Sequence, residues 1–139
     1  MSATTANKFQ VHLFFDSQQS IVSDNSGTLT FPNPNDPDIN LRVGPKDTLD
    51  FVSTEDFRVT ISPEAHTCPS CGEQFPAGPK KNLFTGKDNE DFKDDSKGKK
   101  KVSCGAVHSH FGPGELPCAY KYTATANSGK KIDPHIIVA

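Results

Sequence analysis

The sequence predicts an all-β protein, a Greek-key β-sandwich spanning 1–139 as one domain. Three observations predict it. Short apolar/polar alternations recur at close intervals through the first 62 residues. Clusters of Gly, Pro, Asn and Asp separate them. No apolar pattern of helical period runs longer than about two turns, against the 8–20 residues of an ordinary helix. A chain of 139 residues is long enough to bury one core without staples.

The strands follow in order. KFQVHLFF (8–15) places Phe9, Val11, Leu13 and Phe15 on one face and Gln10, His12 and Phe14 on the other, with His12 expected outward. DSQQSIVSDNSG (16–27) is polar and reads as a turn-rich connection. A short strand is expected over 28–31, and NPNDP (33–37) breaks the chain with two prolines. DINLRV (38–43) turns Ile39, Leu41 and Val43 inward, and GPKD makes the next turn. Residues 48–52 and 57–62 continue the pattern, with Leu49, Phe51, Phe57, Val59 and Ile61 inward. From 63 to about 107 the character changes to Pro, Gly, Lys and Asp. This Cys- and His-containing excursion reads as an irregular, largely mobile and solvated loop, with acidic DNEDFKDD beside basic KGKKK. Strand character returns over 101–107, 119–125 and 135–138.

Composition excludes several classes. Fifteen basic and 17 acidic residues give a net charge of −2, which supplies no field for nucleic acid. Ten Phe, no Trp and one Met point to a core of Phe with aliphatic residues. MSATTANKFQ is polar, without a basic start and apolar stretch, and no run approaches the roughly 18 apolar residues of a membrane span. The expectation is a soluble, cytoplasmic protein with no membrane partner, export by a leaderless route being left open.

The run LTFPNPNDPDINLRVGPKDTLDFVSTEDFRVTI resembles the front half of a cupredoxin, the small blue-copper sandwich family. Phe31-Pro32, Ile39 to Val43, Pro45 to Thr48 and Leu49 to Phe51 match its strand, turn and strand. AYKYTATANSGKKIDPHIIVA (119–139) resembles the family's closing hairpin. The tail is also similar to small bacterial sandwich proteins of unassigned role that end in (I/L)-D-P-x-I-I-V. The resemblance implies a cupredoxin-like sandwich, an immunoglobulin-like one being the alternative. It places the first copper-binding His at Phe57 and the copper-binding Cys at 123–125, where this chain has Thr, Ala and Thr. NSGKKIDP holds no His and no Met. A blue-copper centre needs two imidazoles and a thiolate. No type 1 copper is expected.

Chemistry concentrates instead in four cysteines and a histidine pair. Cys68-Pro69-Ser70-Cys71-Gly72 resembles a zinc knuckle: two thiolates aim at one ion, and the Gly permits the tight turn. Cys104 and Cys118 are the candidates to complete a structural zinc site, with His66, His108 and His110 in reserve. Two disulfides, Cys68–Cys71 and Cys104–Cys118, or free thiols, are the alternatives. A redox role for Cys68 and Cys71 is weakened by the lack of a βαβ pattern around them. His108-Ser109-His110 with Glu115 resembles the first metal motif of the cupins, without its second motif. On a strand both imidazoles would share a face and suit Fe, Mn or Zn. A surface His pair in a Gly-Pro loop is the plainer reading. No G-x-S-x-G and no phosphate-cradling Gly loop is present.

These features lead to one expectation and two alternatives. The expectation is a non-catalytic module that binds a protein partner or assembles with itself and carries a structural Cys/His zinc site. The alternatives are a metalloprotein (oxidase, dioxygenase or metal carrier) built on His108, His110 and Glu115, and a small thiol redox protein built on Cys68 and Cys71.

Overall fold

Alternating side chains turn most of the predicted runs into half-buried strands, and two sheets close over them. A computed structural model describes residues 6–32, 34–36 and 38–139. The first five residues of the polar start, and Asn33 and Pro37 of the NPNDP break, lie outside the described residues. Among the described residues there are thirteen strands and no helix.

The first sheet contains β1 (Lys8–Phe14), β2 (Gln19–Ser23), β3 (Leu29–Thr30), β5 (Thr48–Ser53) and β10 (Lys101–Ala106), in the order β10-β5-β1-β2-β3. Within it β1 and β5 run parallel, and the other pairs are antiparallel. The second sheet has the order β4-β13-β11-β6-β9. Its members are β4 (Ile39–Val43), β6 (Phe57–Pro63), β9 (Phe92–Asp95), β11 (Cys118–Ala126) and β13 (His135–Val138). Here β4 and β13 are parallel, and β12 (Lys131–Ile132) pairs beside β11. A separate hairpin joins β7 (His66–Thr67) to β8 (Gln74–Phe75).

The sheets face each other across one apolar layer. Val11, Leu13, Leu49 and Phe51 from the first sheet meet Phe57, Val59, Ile61, Tyr120, Tyr122 and Ile136 from the second. Phe51 lies edge-on to Tyr122, with ring centroids 4.9 Å apart, and Phe15 contacts Phe57 at 5.9 Å. The Tyr122 hydroxyl, fully inside this layer, donates to Ser20 Oγ at 2.9 Å. A buried hydroxyl needs such a partner, because leaving it unpaired costs about 1–3 kcal/mol.

Two segments depart from the sequence expectation. Residues 16–27 contain β2, whose Ser20 and Val22 face inward. Ser20 hides the alternation, since its polar side chain occupies a core position to receive Tyr122. The 63–107 excursion also holds regular structure. Its Phe92–Asp95 run forms β9 and pairs with β6 at the edge of the second sheet. Leu83, 1% exposed, plugs the main core from the same segment. Lys93, Asp94 and Asp95 leave charge on that edge, which discourages pairing with another strand.

The closing His135–Val138 run is an inner strand, between β4 and β11, and all four residues are buried. Ile136 and Val138 join the main core. Ile137 joins a second, smaller cluster with Ile39, Ala119 and Phe75 on the opposite face. Phe75 belongs to the β7–β8 hairpin, so the hairpin covers the outer face of the second sheet. That cover explains why β13 lacks polar alternation.

Candidate functional site

The β7–β8 hairpin is anchored to the second sheet at several points. Its strands pair His66 with Phe75 and Thr67 with Gln74, leaving 68–73 as the tip. A two-stranded hairpin this short is not stable alone. Three sets of contacts dock it. The Phe75 ring packs on Ile39, Ala119 and Ile137, with the Arg42 guanidinium 5.5 Å from its centroid. Backbone bonds clamp its base to β11: Ala119 N–H donates to Pro76 O (2.8 Å), and Gly78 N–H donates to Ala119 O (2.9 Å). Gly78 must lack a side chain, because a Cβ there would collide with the Tyr120 ring.

The third set is polar and buried. His66 Nε2 donates to both carboxylate oxygens of Asp36 at 3.1 Å. His66 and His135 lie ring against ring, centroids 4.5 Å apart. His135 Nε2 donates to Glu64 Oε2 at 2.8 Å, and Lys121 Nζ bridges Glu64 (3.7 Å) and Asp133 (3.5 Å). A carboxylate only accepts, so both imidazoles carry their proton on Nε2. His135 Nδ1 is then a buried lone pair without a partner among the described residues. Burial, reinforced by neighbouring His66, holds His135 below the usual imidazole range, and Glu64 opposes this. The partners are 30 and 71 residues apart in sequence, so no local pattern reveals them.

At the tip the chain turns sharply. Cys68 N–H donates to Glu73 O (2.8 Å), and Gly72 N–H donates to Cys68 O (3.0 Å). Gly72 has φ of +74°, a left-handed conformation that favours glycine. The turn aims a donor at sulfur: Cys71 N–H lies 3.2 Å from Cys68 Sγ, and the Ser70 hydroxyl oxygen lies 3.6 Å from it. Ser70 Oγ in turn donates to Asn35 O at 2.7 Å. The Cys71 thiol and backbone N–H, both donating to Cys68, hold it below the usual thiol range. The same thiol contact pushes Cys71 up, while the Glu73 backbone N–H pulls it down. Cys71 is exposed and Cys68 is 6% exposed.

The four cysteines do not converge. All are free thiols. Cys118 lies on β11 and faces the main core on the opposite side of the sheet from the hairpin, where burial pushes its thiol up to about 11. Cys104 lies on β10 in the other sheet, at an irregularity in its pairing with β5, and burial pushes its thiol up as well. Among the described residues, no group of three or more His, Cys, Asp and Glu side chains stands where it could hold one ion. The reserve ligand His66 is taken by Asp36.

His108 and His110 also keep separate engagements. Their rings are 6.1 Å apart and nearly parallel, and His110 N–H donates to His108 Nδ1 at 3.1 Å. His108 is stacked on Phe111 at 4.3 Å. Burial first, then neighbouring His110 and Lys81, hold His108 below the usual range. The Glu115 carboxylate turns back to accept from Gly112 N–H.

The positions that the cupredoxin resemblance assigns to copper ligands, Phe57 and 123–125, lie on the adjacent strands β6 and β11 but are not register partners. Phe57 pairs with Ala126 and Arg58 with Thr125. Phe57 packs on Phe15, and the inward neighbours Ala124 and Ala126 are core methyls. Those side chains bring no nitrogen or sulfur donor, so a type 1 copper centre does not fit there. No family model matches the chain, and no curated protein matches it.

Proposed function

We propose that this protein is a non-catalytic binding module: a cupredoxin-like sandwich that presents the Cys68–Cys71 knuckle as a zinc-holding recognition element. The observation that carries the reading is the tip geometry, in which the Cys71 N–H points at Cys68 Sγ, one turn away, and helps hold that thiol below its usual range. Such donors stabilise thiolate, and thiolate is the form that binds metal. The hairpin adds a rigid platform, since sandwich cores commonly position loops for recognition. The strand order, with β1 parallel to β5 and β4 parallel to β13, supports the cupredoxin-like scaffold. Free thiols suit a reducing compartment such as the cytoplasm.

The test is zinc binding by reduced protein, with thiol titration before and after loading. Loading should protect Cys68 and Cys71 together from alkylation. Unchanged alkylation at saturating zinc would end this reading.

One observation favours a second reading, a thiol redox protein. Cys68 is pulled down while its neighbour Cys71 keeps its proton, as in an attacking and resolving pair. A Cys68–Cys71 disulfide that forms and breaks near cytosolic poise, without zinc affinity, would favour it.

A further inference from the structure

Zinc in a structural site takes four ligands in a tetrahedron. The knuckle supplies two. Among the described residues, no third His, Cys, Asp or Glu side chain stands beside the pair where it could share an ion. Cys118 would have to leave the core through the second sheet, and Cys104 belongs to the other sheet. His66 is the nearest imidazole in sequence, yet it is 7% exposed, bonded to Asp36 and packed at a tilt against His135. Recruiting it would break the contacts that dock the hairpin.

The tip is open except at Cys68, which is 6% exposed. Residues 69–74 are all exposed, and Glu73 is the only charged side chain among them. Little therefore repels an identical tip, and closed two-fold symmetry is the commonest way identical chains associate. We infer that a second copy of this chain completes the site, two Cys68–Cys71 knuckles sharing one zinc ion across a two-fold axis. The inference rests on the zinc-knuckle reading above and adds the partner. Each thiol that binds gives up its proton, so dimerisation releases protons and weakens as pH falls. The contact between tips is small, so the metal holds the dimer and the apoprotein is monomeric. Zinc then controls assembly by mass action.

The experiment is light scattering on reduced full-length protein, with zinc alone as the probe and a chelator as the reversal. The expected result is monomer without zinc and dimer with about one zinc per two chains. Chelator should restore the monomer. Cys71→Ser, an exposed change that leaves the core intact, should remain monomeric at every zinc concentration. Zinc bound by a monomer through Cys68 and Cys71 overturns the shared site while the knuckle reading stands. A dimer that persists with chelator, or in Cys71→Ser, also overturns it. Failure to bind zinc at all overturns both.

Discussion

Replacing Phe75 with alanine removes the apolar pin that docks the hairpin. Phe75 is 5% exposed, so nearly all of its burial is at stake. Full burial of a Phe side chain contributes about 1.5–3 kcal/mol. The Arg42 guanidinium 5.5 Å above the ring adds about 0.5–1 kcal/mol. A loss of about 3 kcal/mol corresponds to roughly 150-fold, at 1.36 kcal/mol per tenfold. The main core is a separate cluster and keeps its contacts. The effect should therefore be local opening of the hairpin rather than global unfolding. Native-state hydrogen exchange reads it directly. In Phe75→Ala the amides of Cys68, Gly72 and Gly78 should exchange about two orders of magnitude faster, while Val11 and Tyr122 change little. Equal acceleration in both groups, or none in the hairpin, would refute the docking argument.

Further outcomes follow from the same geometry. Gly78→Ala should lower the urea midpoint by the equivalent of about 1–3 kcal/mol, because the new methyl displaces the Tyr120 ring. Tyr122→Phe should cost about 1 kcal/mol in the same assay through loss of the Ser20 hydrogen bond. Alkylation of the metal-free, native protein should label Cys71 first, with Cys118 silent until denaturant is added; rapid labelling of Cys118 would contradict its place in the core. His108 and His135 both sit below the ordinary imidazole range. The unfolded chain takes up protons near pH 6.5 and the folded one only at lower pH. Their contribution is thus complete above about pH 6.5 and is lost as pH falls through the folded values. Around His135 the facing charges are Glu64, Asp36, His66, Lys121 and Asp133. Around His108 they are His110, Lys81 and Glu115. The urea midpoint should fall between pH 7.5 and 5.5, and a rise would contradict the assignment.

Much of the sandwich was legible because its strands obey the simple period of two. Val11, Leu13, Leu49, Phe51, Phe57, Val59 and Ile61 face the core as their alternation predicts. Strand β2 was not legible, since its inward Ser20 breaks the apolar pattern to serve a tyrosine 102 residues away. Strand β9 was hidden by its acidic side chains, because an edge strand is held by backbone pairing and needs little apolar content. His135–Val138 revealed its strand but not its inner place, which depends on the hairpin covering its second face.

The candidate site divides in the same way. CPSCG announced its turn through spacing and Gly72, because such a turn is local. Its supports, Asp36 under His66 and Glu64 under His135, are contacts between distant segments. The fate of Cys104 and Cys118 was equally hidden, since only the sheet order sets them on different elements from the tip.

X-ray absorption at the zinc edge tests the central claim most directly. Zinc-loaded protein should show a sulfur shell at about 2.3 Å, the distance of a zinc–thiolate bond. That shell should vanish in the Cys68→Ser, Cys71→Ser double variant and survive in Cys104→Ser. A first shell of nitrogen and oxygen only, or a sulfur shell untouched by the double variant, would contradict the account.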